Sequence, residues 1–187
     1  MVTIDRNVIN AEPWILQKIE DNSLCADFDC GDSDLNEYFQ VDAPQHREEL
    51  LTQSYCLKNV SCPDLAIALS DFCNDTVSLK KLDKQVVDQL PITYKFLPAV
   101  KLTRIGVNKE YQGKNIGSHL INLLKILFVT DNRTGCRFIT VDAYNRPEVV
   151  KFYQKNDFRF LTDRDKVRET RSMYYDLKRL ELPIQST

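Results

Sequence analysis

The chain has 187 residues, 43% hydrophobic and 28% charged, and its 25 Lys/Arg against 27 Asp/Glu give a formal net charge of −2. That is the composition of one globular domain, 1–187, with ample chain to bury a core. It excludes a helical membrane protein, because no apolar run approaches the roughly 20 residues of a span. The opening residues Met-Val-Thr-Ile-Asp-Arg have no basic-then-apolar character, so no export signal is expected. Cys25, Cys30, Cys56, Cys62, Cys73 and Cys136 form no C-x-x-C pair and no metal-ligand spacing, which points to reduced thiols, a cytoplasmic chain and no metal. Residues 1–100 carry 8 Lys/Arg against 17 Asp/Glu, and residues 101–187 carry 17 against 10. A basic second half suits a polyanionic coenzyme or a nucleic acid, and solvated faces that merely segregate would look the same.

In chain order, residues 14–19 read as a short strand. The segment FDCGDSDLNEYF, 28–39, supplies a turn at Gly31 and a helix start. There Asp34 and Glu37 resemble a capping pair, and Leu35, Tyr38 and Phe39 make an apolar face. A polar stretch with Pro44 and His46 continues helically to about Leu51, and His46, with no second ligand-type neighbour, reads as a surface residue. Residues 53–58 and 65–72 are two strands joined as a hairpin through Ser61-Cys62-Pro63-Asp64. Leu79, Leu82, Val86 and Leu90 predict a helix over 77–90, ended by Pro91, and Pro98 precedes the central strand.

The stretch 99–130 organises the chain. Val100, Leu102, Ile105 and Val107 form a β-branched, apolar strand. A polar turn with two glycines follows, and then a helix with Ile116, Leu120, Leu123, Leu124 and Leu127 on one face. Strand, glycine-bearing turn and helix suit a phosphate, since the first helical turn has unpaired N–H groups and the positive dipole end. Lys114 adds a cation. The Walker pattern fails because Asn115 follows Gly113-Lys114, and the G-x-G-x-x-G fingerprint is absent. A turn is expected at 131–135 and a strand at 137–143. Asn145-Arg146-Pro147-Glu148 starts a helix carrying Val149, Phe152 and Tyr153, with Asn145 as its expected cap. Two strands, 158–161 and 173–177, flank a charged segment, 162–171. The order describes a mixed α/β sheet with helices on both faces.

Gln112-Gly113-Lys114-Asn115-Ile116-Gly117 resembles the Q/R-x-x-G-x-G/A signature of the GNAT family of N-acetyltransferases, whose loop cradles the pyrophosphate of acetyl-CoA. Gln112 and Gly117 match the outer positions. Asn115 occupies the middle glycine, and Asn is the residue after glycine best able to take positive φ. VDAYNRPEVVKFYQKNDFRF, 141–160, is similar to the family's next strand and helix, where an Asn precedes a helix ending F-Y-x-x-x-G-F. Phe152, Tyr153 and Phe158 fit, and Asp157 stands at the glycine. With FDCGDSDLNEYF and the ending RSMYYDL, the resemblance narrows to the subgroup that includes toxins of toxin–antitoxin pairs, and it covers about residues 25–178. It implies a central, mostly antiparallel sheet of six to seven strands.

The resemblance also implies roles. Acetyl-CoA is the co-substrate, held by the loop residues Gln112, Gly113, Lys114, Asn115, Ile116, Gly117 and Ser118. Backbone groups of Ile105, Gly106 and Val107 meet the pantetheine arm, and Gly106 has no side chain to obstruct it. Asn145 caps its helix or contacts the coenzyme. Tyr153 lies beside the sulfur and protonates the departing thiolate, although core packing through its ring is the alternative. No general base stands out, and Asp71 and Asp142 read as structural. The expected activity is N-acetylation of a primary amine by direct attack in a ternary complex. Aminoacyl-tRNA is the favoured acceptor, then a protein amine, then a polyamine-like molecule. A separate antitoxin chain and a homodimer are the implied partners. A coenzyme-binding protein with decayed catalysis and a non-catalytic nucleic-acid-binding module are the competing classes.

Overall fold

A computed structural model describes residues 2–5, 8–91, 94–130, 132 and 135–180. Asp131, Arg133 and Thr134 of the expected turn at 131–135 lie outside the described residues. The chain divides into two compact units, Met1–Cys73 with Leu102–Leu127 and Asn74–Lys101 with Phe128–Thr187.

In the first unit, β1 (Val2–Asp5), β2 (Val8–Ala11), β3 (Trp14–Lys18), β4 (Gln53–Asn59) and the start of β5 (Ala68–Ser78) pair successively and antiparallel. β3 and β4 fall where the sequence puts them, while their hairpin partner, expected over 65–72, starts at Ala68 and runs on to Ser78. Among the described residues nine strands form rather than six to seven, and the surplus is the β1–β2 pair, whose four-residue strands are too short for a periodicity signal. Between β3 and β4 run α1 (Ser33–Glu37), a π turn (Tyr38–Asp42) and α2 (Ala43–Glu48). The cap of α1 is Asp32 and not Asp34: its carboxylate accepts from the Asp34 and Leu35 N–H groups, each at 3.1 Å. The helix ends at Glu48 instead of Leu51, and Leu50 turns to φ 58. Tyr38 and Phe39 are buried with Phe28, Cys25, Cys56 and Leu69 in one apolar cluster. The second half of β6 (Phe96–Val107) and most of α4 (Ile116–Thr130) complete the unit. All five apolar residues expected on one face of α4 are buried.

The second unit contains α3 (Lys84–Asp88), β7 (Phe138–Tyr144), α5 (Pro147–Lys155), β8 (Arg159–Phe160) and β9 (Thr170–Asp176). β9 pairs antiparallel with both β7 and β8. The helix expected over 77–90 is corrected: β5 runs on to Ser78, one 3-10 turn covers Leu79–Lys81, and only Lys84–Asp88 is α-helical. Val77, Leu82 and Val86 nevertheless share a core with Leu97, Ala99, Phe138 and Tyr174. Their spacing reflects a common core reached from three kinds of backbone, which periodicity alone reads as one helix.

Candidate active site

The loop between β6 and α4 is built by short-range stitching inside the first unit. Asn108 donates its N–H to the Ile67 carbonyl at 2.9 Å, and its side chain accepts from the Glu110 N–H at 3.1 Å. Lys109 reaches the turn at Gly31 twice, through its N–H to the Asp29 carbonyl (2.9 Å) and its Nζ to the Asp29 carboxylate (2.6 Å). That Lys109 contact, with the Gly31 N–H and the Asn36 amide, lowers the Asp29 carboxyl to about 2. Gln112 then donates Nε2 to the carbonyls of Cys30 (2.7 Å) and Val107 (3.0 Å). The first residue of the signature therefore holds the loop's shape with its side chain.

Beyond Gln112 the loop is exposed up to Asn115. Gly113 takes φ 73 and Asn115 takes φ 65, both left-handed. Asn115 thus does what the middle glycine of the signature does, at the modest cost that Asn pays there. Its carbonyl accepts from the His119 N–H at 3.1 Å, opening the hydrogen-bond ladder of α4. The amides of Ile116 and Gly117 precede that bond, where helix N–H groups have no carbonyl one turn back and the dipole is positive. Lys114 Nζ is held by the Glu110 carbonyl (3.0 Å) and lies 5.2 Å from the Tyr111 ring centroid. Ser118 is half-buried on the first turn of α4. The ensemble offers an anion backbone amides, a helix N-terminus and a tethered cation.

Ile105, Gly106 and Val107 end β6, directly before this loop. Gly106 is buried, and the structure gives its small size a further cause: a Cβ there would lie 3.1 Å from Phe28 Cζ and 3.2 Å from Phe28 Cε1. The missing side chain makes room for the Phe28 ring.

Tyr153 and Asn145 belong to the second unit. Tyr153 is 5% exposed on α5, edge-on to Phe152 (5.1 Å) and near Phe158 (5.4 Å). Burial pushes its phenol well above the ordinary tyrosine value, so it stays protonated at any working pH. Asn145 is not the cap of α5; Arg146 occupies that position, without a side-chain cap bond. The Asn145 amide instead donates to the carbonyls of Lys166 (3.0 Å) and Arg168 (2.9 Å), and its N–H to that of Glu169 (2.8 Å), pinning the charged segment. Asp157 sits at φ 65, again left-handed where the family pattern has glycine.

Asp142 accepts from Lys101 Nζ (2.8 Å) and Ser172 Oγ (2.8 Å). Its carboxyl is lowered on balance, burial opposing those bonds. Sequence reasoning missed a cluster in the first unit around Asp71. Its carboxylate is fully buried and accepts from Tyr38 (2.5 Å), Ser54 (2.5 Å) and Thr103 (3.1 Å). His46 is half-buried rather than a surface residue, its ring 5.7 Å from that of Tyr38. A lone Asp inside the apolar run 65–72 was the available signal.

Residues 78–160 match the family model described as the acetyltransferase (GNAT) domain. This stretch is similar to the domain of GNAT acetyltransferases. No curated protein sequence matches the chain. Among solved structures, the GNAT-like fold recurs in AtaT complexed with acetyl-methionyl-tRNAfMet, at TM-score 0.73 and 18% identity over 88% of this chain and 95% of that one. A point mutant of KacT aligns at TM-score 0.72 and 19% identity, over 89% and 96%. A mutant of the AtaT toxin bound to the C-terminus of the antitoxin AtaR and acetyl-CoA aligns at TM-score 0.61 and 18% identity, over 89% and 95%. Among the described residues no helix is long and apolar enough to cross a membrane.

Proposed function

We propose that the chain transfers an acetyl group from acetyl-CoA to the α-amino group of an aminoacyl-tRNA, in a ternary complex. The observation that carries the coenzyme reading is the left-handed pair Gly113 and Asn115 leading into α4, inside the stretch that matches the GNAT domain. The pyrophosphate is held by the amides of the loop and first turn, with Lys114 beside it, and the pantetheine arm pairs with the backbone of Ile105, Gly106 and Val107. The tRNA acceptor is supported by likeness to AtaT, and a separate antitoxin chain is the partner it implies.

The reaction needs a neutral amine, yet an amine of pKa near 10 is only about 0.1% neutral at pH 7. An aminoacyl ester favours this chemistry, because its electron-withdrawing acyl group lowers the amine's basicity. The amine attacks the thioester carbonyl, the C–S bond breaks, and the thiolate leaves. Tyr153 supplies the proton or a strong hydrogen bond to that thiolate. A phenol raised by burial leans toward the hydrogen bond, since proton transfer is best between matched groups.

Titration calorimetry with acetyl-CoA tests the coenzyme site. The protein should bind it, and Gly117→Glu, placing bulk and negative charge beside the pyrophosphate, should abolish binding while the fold persists. Unchanged affinity in the folded variant would remove the loop assignment.

A further inference from the structure

Arg104 is the exposed end of a buried arrangement that the coenzyme loop does not explain. Its base is Asp71, fully buried and held by the hydroxyls of Tyr38, Ser54 and Thr103. Ser54 in turn accepts from Arg47 Nη1 at 2.7 Å. A buried carboxylate is costly unless fully bonded, so this network fixes its members tightly. The Tyr38 hydroxyl is committed to Asp71, and its ring packs edge-on against Phe39 at 5.5 Å. The Arg104 guanidinium lies over that same ring, 4.7 Å from its centroid. Its Nη1 donates to the Thr103 carbonyl at 2.9 Å. No carboxylate among the described residues pairs with it. A guanidinium has five N–H donors, so this one keeps several for a ligand.

Its position says which ligand. Arg104 immediately precedes Ile105, Gly106 and Val107 on β6. With the pyrophosphate at the loop and the pantetheine arm running back from Val107 to Ile105, the acyl end emerges at the level of Arg104. The coenzyme's own anionic groups lie at the opposite end of that arm. A preorganised cation at the acyl end therefore serves the other substrate. The guanidinium fork matches a phosphate bidentately, and its face also stacks unpaired bases.

The geometry points to Arg104 as the acceptor-specificity residue of this site, taking a phosphate of the single-stranded RNA end that carries the aminoacyl group. Asp71 and Tyr38 are positioning residues that act through it. This inference rests on the aminoacyl-tRNA reading above.

The test pairs anisotropy of a labelled single-stranded RNA ending in CCA with steady-state acetyl transfer to aminoacyl-tRNA, using the full chain. Arg104→Ala should weaken RNA binding and raise the acceptor KM, each by about tenfold to a hundredfold, the worth of a charge-assisted contact. Its kcat and its acetyl-CoA affinity should stay near wild type. Arg104→Lys keeps the charge without the fork and should recover only part of the loss, and Tyr38→Phe should fall between the two. Wild-type RNA affinity in Arg104→Ala overturns the assignment and leaves the aminoacyl-tRNA reading standing. An equal loss of coenzyme affinity also overturns it. A wild-type protein that binds acetyl-CoA but neither binds nor acetylates RNA overturns both.

Discussion

Two roles are open to Tyr153, and a single hydroxyl separates them. Its ring packs among Phe152 and Phe158, which is what the core-packing alternative requires. Tyr153→Phe keeps the ring, so the thermal midpoint should hardly move. If the hydroxyl assists the leaving thiolate, turnover should fall by roughly a hundredfold or more, with coenzyme affinity nearly unchanged. Wild-type turnover on aminoacyl-tRNA would assign Tyr153 to packing alone. Asn115 and Asp157 teach a different lesson at this scale. Both depart from glycine in the family pattern, and both take φ 65. The backbone requirement persists while the residue type changes, which is why the signature stayed readable through its substitutions. Asn145 was misread because Asn before a Pro-containing first turn has the chemistry of a cap. Its two bonds to the 166–168 carbonyls come from residues some twenty positions away, which local spacing does not encode.

At the scale of elements, the long periodic ones were legible. α4 and its buried stripe, β4, β7 and the strand before the loop follow from apolar spacing. The short ones were not: β1 and β2 have four residues each, and α3 has five. The π turn after α1 inserts an extra residue per turn, which no 3.6-residue pattern anticipates. The contact of β6 with the segment before α1 has a testable consequence. Phe28 is 1% exposed and edge-on to Phe39 at 5.6 Å, so its ring has little freedom to retreat. Gly106→Ala should therefore destabilise the fold by about 1–3 kcal/mol, the usual cost of overpacking. Denaturant unfolding checks this, and an unchanged midpoint would show that the ring yields.

For the whole molecule, the charge asymmetry of the sequence carries over into an acidic and a basic unit: the first has 8 Lys/Arg against 15 Asp/Glu, and the second 17 against 12. Residues 102–127, from the basic half, belong to the first unit, and residues 74–101, from the acidic half, to the second. The crossings occur within β5, β6 and α4. The reaction proposed for this chain is acetyl transfer to an aminoacyl-tRNA. Labelled acetyl-CoA incubated with the protein and with separate pools of aminoacyl-tRNA, protein and polyamine measures that directly. Label should enter the aminoacyl-tRNA pool and resist removal after the ester bond is hydrolysed only as an N-acetyl amino acid. Label confined to protein or polyamine, or none transferred by a protein that binds the coenzyme, would contradict it.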